Sequence, residues 1–152
     1  MKILAQNRRA SFDYGILETF EAGIILSGQE VKSAKQGHIS LKSAYVTTKE
    51  GEAYLINAHI SPYKMAGELP EYNPKRTRKL LLRKKEINSL IGKKSQGLTI
   101  IPLRVYTKHG RVKLKIALAR GKKKYDKREA TKKREAERKI RRAMKEKYNK
   151  IN

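Results

Sequence analysis

The chain has 152 residues and 17.5 kDa, enough for one compact domain with an appendage, and carries 38 Lys and Arg against 14 Asp and Glu. The resulting net charge of +24 exceeds what solubility requires and points to a polyanionic partner. The lack of cysteine excludes disulfides, thiolate metal sites and cysteine nucleophiles, and no apolar run approaches the ~18 residues of a membrane span.

Met1 to Arg9 has no apolar stretch of the kind a secretion signal needs, so an intracellular, cytoplasmic protein is expected. In chain order, Tyr14, Ile16 and Phe20 fall at even positions ahead of Ile24-Ile25-Leu26, the pattern of a half-buried or bulged strand. Gln29 to Lys35 suits a short helix or turn. Ala44 to Thr48 and Ala53 to Ala58 flank Lys49-Glu50-Gly51-Glu52 as a hairpin with glycine in its turn. Pro62, Pro70 and Pro74 punctuate a long loop over 61–75. Arg83 to Lys93 predicts a helix with Ile87, Leu90 and Ile91 on one stripe, ending near Gly92.

A second hairpin runs from Leu98 through Tyr106, turns at Lys108-His109-Gly110 and returns from Arg111 to Leu118. In the returning strand Val112, Leu114, Ile116 and Leu118 alternate with Arg111, Lys113 and Lys115, so one face is apolar and the other cationic. Roughly six strands with a helix before the last hairpin predict a mainly β chain, an OB-fold-like closed antiparallel barrel with flanking helices.

Charge density changes at Gly121. Residues 121–152 hold 15 Lys and Arg and 5 Asp and Glu, leaving 23 and 9 to the rest, for net charges of +10 and +14. The apolar residues of the tail, including Ile140 and Met144, are too few for a core of its own. The expected organisation is an RNA-binding barrel over residues 1–120 and a basic tail over 121–152 that is disordered alone or helical when bound. Its apolar stripe is narrow and lacks Trp and Phe, which argues against a membrane-surface helix.

The cationic strand face, with Arg111, Lys113 and Lys115, is suited to track a phosphate backbone. Asn73-Pro74-Lys75-Arg76-Thr77-Arg78-Lys79 sets four cations after a proline turn and suits phosphate contacts as well. Glu21 and Glu30 are carboxylates in a chain poor in them; internal salt bridges or a hydrogen bond to a base edge suit them better than paired-carboxylate catalysis. His38, His59 and His109 show no ligand spacing, and no phosphate loop, nucleophile elbow or metal cluster is evident. Neither an enzyme nor a cofactor is expected.

Taken together, these stretches resemble the SmpB family of SsrA-binding proteins, partners of transfer-messenger RNA in bacterial ribosome rescue. The carrying pieces are Asn7-Arg8-Arg9-Ala10, Phe20-Glu21-Ala22-Gly23-Ile24, Gly28-Gln29-Glu30-Val31-Lys32-Ser33, Asn73-Pro74 through Leu82, and Ala119 through Arg128. Their order and spacing, more than any one piece, make the match. The resemblance implies an OB-type barrel that binds the tRNA-like domain of transfer-messenger RNA. It also implies a tail that enters the small-subunit decoding centre and the empty mRNA channel as a helix. By position, Glu21, Leu81, Lys113 and Asn7 match family residues implicated in RNA binding.

The expected RNA-contacting set is Asn7, Arg8, Arg9, Glu21, Lys32, Arg76, Arg78, Leu81, Arg83, Arg111, Lys113 and Lys115. The expected ribosome-contacting set is Gly121, Lys122, Lys123, Tyr125, Asp126, Lys127, Arg128, Ile140 and Met144. Many family members carry histidine near Arg83 and some where Tyr125 stands, so imidazole chemistry does not carry over to those positions. Elongation factor Tu is an expected companion in the delivery complex. The alternative function is that of a ribosomal or ribosome-assembly protein holding ribosomal RNA permanently.

Overall fold

The structure, a computed structural model, describes residues 1–122 and 124–151; side chains at 124–127, 129–130 and 148–151 are outside the description. The first strand, β1 (Lys2–Gln6), leads through a one-turn helix α1 (Ala10–Asp13) into the long β2 (Tyr14–Ile24). Helix α2 (Gly28–Lys35) follows, then β3 (Ile39–Ser40), the hairpin β4 (Tyr45–Lys49) and β5 (Glu52–Ile56), and β6 (His59–Ile60). After the irregular 61–77 segment come β7 (Arg78–Leu81), α3 (Lys84–Lys94), the hairpin β8 (Thr99–Lys108) and β9 (Arg111–Gly121), and α4 (Lys124–Ile151).

Seven strands pair antiparallel in the order β1-β8-β4-β5-β7-β2-β9, and β9 pairs again with β8. The hydrogen-bonded ladder therefore returns on itself, with β1 added to the outside of β8 and a seam between β4 and β8 at Val46 and Ile100. Small β3 and β6 pair with each other. Alternation decides which side faces in: Val112, Leu114, Ile116 and Leu118 of β9 join Leu55, Leu80, Ile100 and Val105 in one buried core.

Both long hairpins turn through the same pair of left-handed residues, Glu50-Gly51 at φ 53° and 76° and His109-Gly110 at φ 52° and 76°. That geometry matches the twist of the flanking strands and explains the glycine at the second position. The strand starting at Tyr14 carries a register shift between Ile16 and Glu18, the bulge its pattern suggested.

Two expectations need correction. Helix α3 does not stop near Gly92 but continues to Lys94, and the chain turns left-handed only at Gly97, at φ 82°. Ile87 and Leu90 are buried, whereas Ile91 is 39 % exposed, because the barrel covers a stripe narrower than all three residues. The alternation in β9 also stops short: Ala117 and Ala119 point outward yet are fully buried, packed with Ala10 of α1 and Ile101. Small side chains there let α1 lie on the outer face.

Ser27 and Glu30 form a capping box at the start of α2, Ser27 Oγ accepting the Glu30 N–H and the Glu30 carboxylate accepting the Ser27 N–H at 3.0 Å. The same carboxylate, fully buried, accepts Arg78 Nε at 2.8 Å and Nη2 at 2.6 Å, Arg76 Nε at 3.1 Å and Tyr72 Oη at 3.2 Å. Arg78 is itself fully buried and spends its remaining donors on the carbonyls of Ala58 and Pro74, at 2.7 and 2.9 Å. Every charge in this cluster is thus bonded, which is what makes its burial tolerable.

Burial pushes the Glu30 carboxyl up, but Arg76, the Ser27 N–H and Arg78 outweigh it and bring the pKa from 4.5 to about 2. A carboxylate whose folded pKa lies below its unfolded value adds stability above pH about 4.5 and loses it as pH falls towards about 2. Replacing Glu30 by Gln strands the buried Arg78 guanidinium, with an expected loss of about 3–5 kcal/mol. Urea unfolding across pH should show the gap between wild type and E30Q closing from pH 4.5 down to 2.

Candidate nucleic-acid interface

The outer face of the β8–β9–β2–β7 ladder is built by register. Lys113 of β9 lies opposite Tyr106 of β8 and Gly23 of β2, and Gly23 in turn lies opposite Leu81 of β7. One step along, Lys115 lies between Arg104 and Glu21; at the hairpin tip Arg111 faces Lys108. Side chains directly opposite in an antiparallel ladder share a face, so Glu21, Leu81, Lys113, Lys115 and Arg111 meet on one surface. Leu81 is 55 % exposed there, and it comes so close to Gly23 that a Cβ on that glycine would lie 3.3 Å from the Leu81 Cβ. Glycine lets β7 draw close beside β2.

Three residues of this face were missed from sequence: Arg104, Tyr106 and Lys108. Tyr106 is nearly covered, its Oη donates to Glu21 Oε2, and Lys108 Nζ lies 3.4 Å from the same oxygen. The Arg104 guanidinium sits over the Tyr106 ring, 5.9 Å from its centroid. The signal was present, since Arg104, Tyr106 and Lys108 alternate with the buried Val105, but only the pairing with β9 tells which of the two faces they share with Lys113 and Lys115.

The Tyr106 hydrogen bond is the main cause that holds the Glu21 carboxyl below its ordinary value, helped by Lys108 and Lys113 and opposed by desolvation. The Tyr106 hydroxyl is pushed up to about 12 by burial and by the bond to Glu21.

At the edge of the face, the Asn7 N–H donates to the Leu103 carbonyl at 2.7 Å and its Nδ2 to the Pro102 carbonyl at 3.0 Å. Asn7 thereby fastens the chain to β8 where its register shifts, between Pro102 and Arg104. Arg8 is exposed and shares a cleft with Arg104 and Lys115. Arg9 is exposed, 3.6 Å from Asp13 and stacked over Phe12. Lys32 lies apart on α2, over the Tyr63 ring. Arg83 caps the N-terminus of α3, its N–H bonded to Glu86 and its side chain exposed.

Arg78 and Arg76 do not belong to this face. Arg78 is wholly buried against Glu30, and both the Nε and Nη2 of Arg76 are held by the same carboxylate. What reads in sequence as a phosphate-binding run is half internal scaffold. Glu30 is the internal salt-bridge residue its isolation suggested.

Among the described residues, no group of three or more His, Cys, Asp or Glu is placed to hold a metal ion, and no helix is long and apolar enough to cross a membrane.

A family model described as SmpB protein matches residues 4–146. The chain belongs to the SmpB family. It is 52 % identical to the SsrA-binding protein of Trichodesmium erythraeum (strain IMS101), over 95 % of this chain and 94 % of that one. It is 54 % identical to the SsrA-binding protein of Coprothermobacter proteolyticus (strain ATCC 35245 / DSM 5265 / OCM 4 / BT), over 97 % and 100 %. A solved structure described as "tmRNA-SmpB: a journey to the center of the bacterial ribosome" shares the fold at a TM-score of 0.66 and 44 % identity, covering 83 % of this chain and 92 % of that one.

In this SmpB chain the tail is rooted on the body. Gly121 still pairs with Tyr14, the Lys122 N–H donates to the Asp13 carbonyl at 3.0 Å, and Lys122 Nζ donates to the Ser11 carbonyl at 2.8 Å. Lys123 lies outside the described residues, and of Tyr125, Asp126 and Lys127 only the helical backbone is described. From Lys124 the backbone is helical to Ile151, although the tail alone was expected to be disordered, and Arg134 covers the Phe12 ring from the side of α4. Arg128 is exposed, as are Ile140 at 55 % and Met144 at 68 %.

Replacing Tyr106 by Phe removes the hydroxyl that lowers the Glu21 pKa most. The Glu21 carboxyl should titrate closer to its ordinary value of 4.5 in Y106F than in wild type, as followed by carbon-detected NMR of the side-chain carboxyl.

Proposed function

We propose that this chain is the RNA-binding adaptor of trans-translation. Its barrel binds the tRNA-like domain of transfer-messenger RNA, and the complex is delivered to ribosomes stalled without a codon. The observation that carries the reading is the convergence of Glu21, Leu81 and Lys113, distant in sequence, on adjacent positions of one cationic face in a chain of the SmpB family. Membership in that family favours a rescue factor over a permanent ribosomal component.

The division of labour follows from the two charged parts. Residues 1–120 present fixed cations on a rigid sheet, suited to recognise the shape of a folded RNA. On that face and around it we assign RNA contacts to Asn7, Arg8, Arg9, Glu21, Leu81, Arg83, Arg111, Lys113 and Lys115, and to Lys32 apart on α2. Residues 121–152 carry one apolar stripe and cations on the remaining surface, and enter the decoding centre and empty mRNA channel of the small subunit. Elongation factor Tu accompanies the complex during delivery. No step requires turnover by this chain, which acts in the cytoplasm as a binding protein rather than an enzyme.

Two measurements test this. Truncation after Lys124 should leave affinity for the tRNA-like domain nearly unchanged while abolishing peptide tagging on stalled ribosomes in a reconstituted system; equal loss of both overturns the division. Separately, the slope of log affinity against log salt should fall in magnitude by about one for each of K113A and K115A, as expected when a phosphate contact and its released counterion are removed.

A further inference from the structure

Glu21 is a carboxylate set among Arg104, Lys108, Lys113 and Lys115 on a face that offers cations to RNA. Two ordinary explanations fail to account for it. As an ion pair with Lys108, at 3.4 Å and with both side chains more than a third exposed, it is screened by solvent and the fold does not depend on it. As a phosphate-facing group it is unfavourable, because it repels the ligand.

The geometry shows a carboxylate that is aimed. The nearly buried Tyr106 donates its hydroxyl to Oε2, and Lys108 Nζ lies 3.4 Å from Oε2 and 3.5 Å from Oε1. An ionised carboxylate has about four acceptor positions, so these two donors leave capacity unused, on a side chain that is 40 % exposed. The bond from Tyr106 also keeps the group ionised, and hence acceptor-only. Beside it, Arg104 packs on the Tyr106 ring and its buried Nε–H has no acceptor. A buried donor without a partner is costly, and Arg104 lines the same cleft as Glu21, Tyr106 and Lys115.

An RNA base that satisfies such a site must bring donors to Glu21. Unpaired bases offer their Watson–Crick edges to side chains in just this way. Guanine alone presents two adjacent donors on that edge, N1–H and N2–H, with the acceptor O6 beside them. Cytosine and adenine offer one amino donor next to an acceptor, and uracil a single imino donor between two acceptors. Two carboxylate acceptors on one ionised group therefore match the paired donors of guanine.

We propose that Glu21 is a base-reading residue for an unpaired guanine of the bound RNA and that Tyr106 is its positioning residue, with Lys108 supporting. The proposal rests on the RNA-binding reading above and adds to it the base that this part of the face selects.

The test uses the full chain and a synthetic tRNA-like domain of transfer-messenger RNA in which each unpaired guanine is replaced in turn by inosine, which lacks only the 2-amino group. Wild type should lose affinity roughly tenfold at one inosine position, the range of a lost specific base contact. In Y106F and E21Q, affinity for the unmodified RNA should drop by a similar factor, and inosine at that position should cost nothing further. The salt slope should stay at its wild-type value in both. K113A should do the reverse, keeping the inosine penalty while flattening the slope.

E21Q alters a partly exposed side chain and so remains informative if Y106F fails to fold, which thermal melting followed by circular dichroism would reveal. Overturning results are the absence of any inosine position that weakens wild type, or a full inosine penalty retained in E21Q. Weak, salt-independent binding of wild type to the unmodified RNA would overturn the RNA-binding reading itself, together with this proposal.

Discussion

The Glu30 carboxylate is the point on which the rest of the arrangement depends. It caps α2 through Ser27, fixes the 61–77 segment through Tyr72 and Arg76, and seats β7 through Arg78. That strand carries Leu81 to its place beside Gly23, and Gly23 is the next register step to Lys113. A fully buried ion pair is a poor source of net stability compared with an apolar replacement of the same shape, but removing one partner is severe. Its value here is positional: it ties a proline-punctuated segment, which has few apolar residues to anchor it, to the start of the strand that borders the RNA face.

How far the sequence foretells this follows from which residues carry a local signal. The β8–β9 hairpin was legible because alternation over Arg111 to Leu118 and the His109-Gly110 turn are both short-range features. The outward Ala117 and Ala119 were not, because their burial depends on α1, whose Ala10 lies more than a hundred residues away. Arg76 and Arg78 illustrate the converse failure. As a charge run they look like phosphate ligands, and nothing nearby reveals that the carboxylate neutralising them stands at Glu30, nearly fifty residues earlier. Glu30 suits an internal salt bridge or a base-edge bond by sequence; that it takes the former, and with Arg76 and Arg78 among the chain's many cations, is a tertiary fact. On the interface, Lys113 and Lys115 were visible in sequence, while Arg104, Tyr106 and Lys108 became visible only through cross-strand pairing.

The chain uses its scarce acidic residues in two distinct ways. Glu30 is enclosed, with its charge spent inside the protein, and its pKa falls because two guanidiniums and a backbone N–H outweigh the cost of burial. Glu21 stands on the surface, where a hydroxyl from Tyr106 orients it and neighbouring lysines keep it charged. In a chain of net charge +24, an acidic side chain placed at random would meet a cation and form a screened surface pair of little consequence. Glu30 is buried away from that fate, and Glu21, although it also pairs with Lys108, is held by the Tyr106 hydroxyl.

The cationic body and the cationic tail bind polyanions under different constraints. On the barrel, cations are held at the spacing of a β-ladder, so the cost of ordering them is met during folding and affinity can be directed at one RNA shape. On α4 the described side chains are exposed; Arg134 lies over the Phe12 ring, and Glu135 with Lys139 and Glu137 with Arg141 stand at the i, i+4 spacing that supports a helix. Cations along such a helix repel one another until an anionic surface neutralises them. Neutralising that repulsion is what an anionic surface would add to the helix. On the reading proposed above, such a segment responds to whether a negatively charged channel is open to receive it, while the barrel responds to the identity of the RNA it holds.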